Sequence, residues 1–219
     1  MRRMDDMTAK RLLVFGASGH GKVAADAAIA AGWVVRGFAD DAADKRGRLL
    51  LDLPVIATGM AEAAAFCLHD DAFLVIGVGD NRIRQRLFLA AQQAGVRFAT
   101  VVHPRAAVAP SARLGAGTVV FAGVAVNCDA VIGADVILNT GATVDHDCII
   151  GDHAHLSPGV HLGGTVHVGP GTHLGVGVAV SPNLELGAWS IVGVGAAVVA
   201  NIPDAVVAYG VPAKVVREN

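Results

Sequence analysis

From Val102 to Val198 an aliphatic side chain stands at every sixth position. The series is Val102, Val108, Leu114, Val120, Val126, Ile132, Leu138, Val144, Ile150, Leu156, Leu162, Val168, Leu174, Val180, Leu186, Val192 and Val198, with no miss. A helix wants apolar residues three and four apart, and a half-buried strand wants them two apart. A strict period of six fits neither and marks an internal repeat. Six residues suffice for one short strand and a corner, and three such units close a triangular coil. Stacked coils would lie about 4.8 Å apart, the strand spacing of a sheet. The aliphatic side chains would then fill the interior. The site after each aliphatic residue is Gly at 115, 133, 151, 163, 169, 175, 187 and 193, and Asn at 127 and 139. These residues are expected at the corner, in backbone with φ > 0. Small or β-branched residues such as Ala112, Thr118, Val124, Ala130 and Val136 recur four places after the aliphatic one, as a thin prism requires.

Residues 11–99 follow another pattern. Short apolar runs at Leu12–Phe15, Val34–Phe38 and Phe73–Val78 predict strands. They alternate with helical segments at Lys22–Ala31, Met60–Leu68 and Ile83–Ala94, the last with apolar residues at 83, 87, 90, 91 and 94. Gly47–Pro54 reads as a loop before a short strand at 54–57. Strands alternating with helices predict a small, parallel, Rossmann-like sheet. The chain therefore divides at about residue 100. An α/β domain occupies 1–100, and a β-helix with a short C-terminal cap occupies 101–219.

Composition adds little pull toward any bulk partner. There are 17 Lys and Arg against 19 Asp and Glu, so neither nucleic acid nor an acidic membrane surface is an expected partner. Cys67, Cys128 and Cys148 form no CxxC pair and no disulfide framework, which fits a reducing compartment. The first eleven residues carry charges but no apolar leader core, so a cytoplasmic location is expected.

Histidines concentrate in the repeat: His146, His153, His155, His161, His167 and His173. The period spreads most of them over different faces, while His155 and His173, eighteen apart, should stack on one face. Two stacked histidines without a third ligand do not make a zinc site, so no metal is expected. His146 is different because it sits in Asp145-His146-Asp147, two residues past an inward valine. Asp147 there could orient the imidazole as a general base, although an exposed corner histidine can also simply face water. His153, His161, His167 and His173 read as surface residues. Cys148 occupies a small inward position and reads as packing rather than as an acyl-carrying nucleophile.

In the first half, Gly16-Ala17-Ser18-Gly19-His20-Gly21 follows a strand and precedes a helix. Such a turn can present N–H groups to phosphate. Asp40 and Asp41 end the second strand, and Gly79-Asp80-Asn81-Arg82 ends another. All could equally be turn and capping residues.

The exact period resembles that of the hexapeptide-repeat acyltransferases. Four segments narrow the resemblance: GASGHG at 16–21, GDNR at 79–82, NTGATVDHDC at 139–148 and GVPAK at 210–214. Together they resemble the bacterial sugar-nucleotide acetyltransferases of the NeuD/PglD type over nearly the whole chain. The resemblance implies a left-handed parallel β-helix and acetyl-CoA as acetyl donor. It also implies a homotrimer with active sites between subunits. His146 would be the catalytic base, with Asp147 in place of the family's more common Glu. His155 would lie near the acetyl group, Asn139 would contact the sugar, and the pantetheine arm would pass Gly164 and Pro182. The nucleotide sugar would be held by Gly19, His20, Gly21, Asp40, Asp41, Gly79, Asn81 and Arg82. The expected reaction is acetylation of the 4-amino group of a UDP- or GDP-linked 4-amino-4,6-dideoxy sugar. The alternatives are a sialic acid O-acetyltransferase and a non-catalytic β-helix scaffold or sugar-binding module.

Overall fold

A computed structural model describes residues 10–219, so most of the segment read for a leader lies outside the described residues. Two compact units divide between His103 and Pro104.

In the first unit, β1 (Arg11–Phe15), α1 (Gly19–Ala30), β2 (Val34–Asp40), β3 (Leu49–Leu50), β4 (Leu53–Thr58), α2 (Gly59–His69), β5 (Phe73–Ile76) and α3 (Asn81–Gln93) follow in order. The sheet order is β3-β4-β2-β1-β5. All neighbours pair in parallel except β3 with β4, an antiparallel pair where a loop is expected from sequence. The chain builds outward from β1 to one side and then crosses to β5 on the other. This reversal creates a switch point at the C-terminal ends of β1 and β5, the usual place for a ligand in such a sheet. Leu12, Leu13, Val14, Phe38, Leu74 and Val75 are buried in this sheet, as are Ala24, Ala25, Ala27 and Ala28 of α1, the helix that packs on β1 and β2.

Two expectations for this unit are corrected. Helix α1 begins at Gly19, so Gly19, His20 and Gly21 form its first turn rather than the loop before it. On α3 the buried residues are Asn81, Arg84, Leu87, Phe88 and Ala91, while Ile83 is 40% exposed. The inward stripe is thus rotated from the apolar count and carries a charged residue.

In the second unit every sixth-position aliphatic from Val108 to Val198 is the second residue of a two-residue strand. From Val120 onward each of these side chains is buried. Strands pair in parallel with those eighteen residues away, as in Val126↔Val144 and Leu138↔Leu156. Three faces result. The first carries Ala107–Val108, Ala125–Val126, Thr143–Val144, His161–Leu162, Ala179–Val180 and Ala197–Val198. The second runs from Arg113–Leu114 to Glu185–Leu186, and the third holds Ile137–Leu138, His155–Leu156 and His173–Leu174 among others. Ile202 extends the second face by a parallel bridge to Leu186. Val206–Gly210 and Ala213–Glu218 then close the third face with an antiparallel hairpin.

The corner glycines have a different cause from the expected one. Positive φ falls three places after the aliphatic residue, at Gly141, Asp147, His153, Gly159 and Thr165 among others, not one place after. The glycines one place after are needed because the next coil is too close. A Cβ on Gly151 would meet Pro170 N at 2.5 Å, and one on Gly175 would meet Val194 N at 2.8 Å.

Candidate active site

The corner between the first and second faces presents residues 145–148. Asp147 takes the left-handed position with φ 58°, which Asp tolerates better than most residues. Its N–H donates to the Cys128 carbonyl of the coil below (3.1 Å). That conformation brings Asp147 Oδ2 to 2.8 Å from His146 Nδ1. A carboxylate only accepts, so Nδ1 carries the proton and Nε2 of the neutral ring is the basic nitrogen. The Asp147 hydrogen bond raises the His146 pKa above the ordinary 6.5, against desolvation, and the charges of Asp145 and Asp147 add to the rise.

Gly164 stands one coil above His146. Its missing Cβ leaves the space that the imidazole fills. Gly163 is likewise bare because Pro182, one coil higher, fills its space, with the ring 2.8 Å from where a Cβ would be. Gly164, expected along the pantetheine path, and its neighbour Gly163 are thus each explained by packing, one against the candidate base and the other against Pro182.

Cys148 is fully buried, and burial raises its thiol pKa. Its Sγ donates to Gly163 O at 3.2 Å. Thr118 Oγ1 to Gly133 O and Thr172 Oγ1 to Gly187 O repeat this link elsewhere in the prism. The position takes a small or β-branched residue, and where that residue is Thr118, Cys148 or Thr172 its side chain donates to a carbonyl fifteen residues on.

A second polar group forms on the third face. His155 and His173 stack with centroids 4.7 Å apart and rings 2° from parallel, as their spacing predicts. Asn139 Oδ1 accepts from Thr140 N (2.9 Å), which turns its Nδ2 toward His155 Nε2 at 3.2 Å. Ser157 Oγ lies 2.9 Å from His173 Nε2. Asn139 and His155 thus sit together, but the corner holding His146 is across the prism from this face. A groove of about 740 Å³ lies elsewhere again, on the second face, lined by His167, Pro170, Glu185 and Asp204. Its lining includes neither His146 nor His155.

One histidine expected at the surface is not there. His153 is buried, and its Nδ1 lies 2.8 Å from Oδ2 of the equally buried Asp135. Both occupy left-handed corner positions eighteen residues apart, a spacing that could have revealed the pair. Among the described residues no group of three or more His, Cys, Asp or Glu side chains converges as a metal site would.

The first unit gathers its expected residues at the switch point. Gly16, with φ 116°, follows β1, and a Cβ there would be 2.6 Å from Gly77 O beyond β5. Gly21 has no Cβ because Gly16 O occupies its place, whereas Gly19 faces open space. Asp40 accepts from Ala17 N (2.7 Å), Ala42 N (3.0 Å) and Lys45 Nζ (2.8 Å). Partial burial works against its charge, but these hydrogen bonds, led by that of Lys45, prevail and lower its pKa. Asp40 thus braces the glycine turn, and Asp41 beside it is exposed. Asp80 caps α3 by accepting from Ile83 N at 2.8 Å.

Beyond Gly79, Asn81 is buried and Arg82 exposed. Asn81 Oδ1 accepts from Arg84 Nη1 (2.9 Å), which also reaches Val78 O at 3.2 Å. Arg84, 1% exposed, was missed by the apolar count on α3, and its spacing of three from Asn81 was the available signal. Burial, followed by the charge of Arg84, pushes the His20 pKa down to about 4, so this imidazole is neutral at pH 7.

Known proteins share this architecture. Residues 11–90 match the PglD N-terminal domain, and residues 129–164 match the bacterial transferase hexapeptide repeat. No curated protein matches the chain. A histidine-to-asparagine mutant of perosamine N-acetyltransferase from Caulobacter crescentus, solved with CoA and GDP-perosamine, is 41% identical over 94% of this chain and 97% of that one, with TM-score 0.89. PerB from the same organism, also with CoA and GDP-perosamine, is 42% identical over 94% and 96%, with TM-score 0.87. The acetyltransferase domain of PglB from Neisseria gonorrhoeae, with acetyl coenzyme A, is 35% identical over 95% and 100%, with TM-score 0.87. The fold is thus an α/β domain followed by the left-handed β-helix of the hexapeptide-repeat acyltransferases. Within that class the chain belongs to the PglD/PerB family of acetyl-CoA-dependent sugar N-acetyltransferases.

Proposed function

We propose that the protein moves the acetyl group of acetyl-CoA to the 4-amino group of a nucleotide-linked 4-amino-4,6-dideoxy sugar, with His146 as general base. The observation that carries this reading is the His146–Asp147 pair in a chain of this family. Asp147 holds the proton on Nδ1, and Nε2 accepts the proton of the attacking amine. The new C–N bond forms as the C–S bond of the thioester breaks, and the proton on Nε2 can pass to the departing thiolate. GDP-linked perosamine is the first substrate to try, because relatives at 41–42% identity were solved with it. UDP-linked amino sugars come second.

In this reading the switch point of the first unit holds the nucleotide. The first-turn N–H groups of a helix have no acceptor within it and suit a phosphate. Gly19 and His20 lie on that turn, Gly21 lets the turn pack closely, Asp41 and Gly79 follow the ends of neighbouring strands, and Arg82 lies in the first turn of α3. Asp40 and Asn81 support the loops rather than reach outward. The acetyl donor lies along the corner of Gly164 and Pro182.

His155 and Asn139 serve the same reaction from a neighbouring subunit. One prism cannot bring its corner and its opposite face together, whereas a cyclic homotrimer sets each corner against the next chain's face. Among the described residues no helix is long and apolar enough to cross a membrane. Three free cysteines suit the reducing cytoplasm, where we place the enzyme.

The test is thiol release from acetyl-CoA against a panel of GDP- and UDP-linked 4-amino sugars and sialic acid. Turnover with an amino sugar supports the proposal and names the nucleotide. Turnover with sialic acid alone replaces it with O-acetylation. Silence across the panel favours the scaffold.

A further inference from the structure

The sequence places His146 between two aspartates, and only Asp147 has been given a task. Asp145 Oδ1 receives two hydrogen bonds, from the backbone N–H of His146 at 2.8 Å and from Asn127 Nδ2 at 2.7 Å. Asn127 belongs to the coil below, at the position equivalent to Asp145, and its own N–H donates to Val144 O at 2.9 Å. One carboxylate oxygen therefore ties the backbone of the candidate base to a neighbouring rung of the prism. The opposite side of His146 is bounded by Gly164, so the ring is set by contacts from both adjoining coils.

We propose that Asp145, anchored by Asn127, is a positioning residue for His146 and the second carboxylate of an Asp-His-Asp unit. Asp147 sets the tautomer and orientation of the ring, and Asp145 sets the backbone from which the ring projects. The inference rests on His146 being the base. It makes the corner rigid in the one place where a loose loop would cost rate, because a base misplaced by about an ångström can lose on the order of a hundredfold.

The arrangement also has an electrostatic side. The groups around His146 are Asp145 and Asp147 on its own corner, Cys128 and Asp129 on the coil below, and Thr165, with His161 and His167 on the flanking strands, on the coil above. Of these, Asp145 and Asp147 are the charges that act on the ring, and both favour its protonated form. In return, the hydrogen bonds from Asn127 and then His146 N hold the Asp145 pKa down, keeping it a carboxylate.

Two variants separate the clamp from the charge. Asp145→Asn keeps an acceptor oxygen of the same shape and removes the charge. Asn127→Ala keeps the charge and removes the anchor. Each is read twice in the intact protein, by NMR titration of the 13C-labelled His146 ring and by the pH profile of acetyl transfer. Asp145→Asn is expected to lower the His146 titration midpoint. Asn127→Ala is expected to lower kcat by about tenfold, with KM for acetyl-CoA and for the nucleotide sugar unchanged. An unmoved midpoint in the first variant, or a wild-type kcat in the second, overturns the proposal. His146→Ala is the control. If it retains full turnover, the base assignment itself has failed, and the proposal falls with it for that separate reason. The titration needs no substrate, so the role of Asp145 is tested even before the sugar is known.

Discussion

A Cβ built on Gly164 would stand 2.5 Å from Nε2 of His146, the nitrogen assigned to take the proton. The glycine is not in the left-handed region, so its backbone would accept alanine. Gly164→Ala should therefore fold as the wild type does and push the imidazole out of place. A kcat loss of about a hundredfold is expected, with an unchanged thermal midpoint. Wild-type turnover would show that the ring does not act from this rotamer.

The pH profile follows from the same ring. A general base works unprotonated, and the His146 pKa is raised above 6.5 by Asp147 first and by neighbouring charge as well. The acid limb of kcat/KM should therefore fall above pH 6.5, with activity rising through the limb to a plateau. Asp147→Asn removes the carboxylate, and Asn also tolerates the positive φ found there. The limb should move to lower pH, and kcat should fall by about 10²-fold or more. His20, pushed down to about 4, cannot supply this limb.

Cys148 offers a clean test against a covalent route. Its buried thiol donates to Gly163 O, as Thr118 and Thr172 donate to the equivalent carbonyls. Cys148→Ser should preserve that link and retain turnover within about threefold, an effect below 1 kcal/mol. Mass spectrometry of the wild type after acetyl-CoA should find no acetyl group on this residue. An acetylated Cys148 would reverse the assignment.

Arg84 should matter for stability before catalysis. Its guanidinium is buried and holds Val78 O and Asn81 Oδ1, which shape the loop after β5. Arg84→Met leaves those acceptors unsatisfied and should cost about 2–4 kcal/mol. Thermal unfolding reads the loss, and a raised KM for the nucleotide sugar with an unchanged KM for acetyl-CoA would locate it.

Subunit mixing tests the placement of His146 and His155 across the prism. In the proposed homotrimer, His146→Ala and His155→Ala should each be inactive when unmixed. Co-assembled at equal ratio, mixed cyclic trimers contain one interface in three that joins an intact corner to an intact face. Three quarters of random trimers are mixed, so roughly a quarter of wild-type activity should return. No recovery in verified mixed trimers would place both residues in separate roles within one chain.

The sequence by itself determined the prism, because burying one aliphatic residue per short strand leaves a period that no helix or simple sheet shares. It also determined the His146–Asp147 pair and the His155–His173 stack, since neighbours in sequence and neighbours eighteen apart are both adjacent in a coil. The alternation of the first half determined a parallel sheet, but the order β3-β4-β2-β1-β5 came only from long-range pairing. Tertiary structure alone decided why the corner glycines are bare. Their spacing suggested backbone conformation, and the actual cause is the close approach of the next coil to Gly151, Gly163 and Gly175. It alone turned α3 so that Arg84 faces inward, because a buried cation is set by the carbonyls that receive it and not by apolar periodicity. It also separated His146 from His155, because nine residues of a three-sided coil carry the chain from one corner to the opposite face.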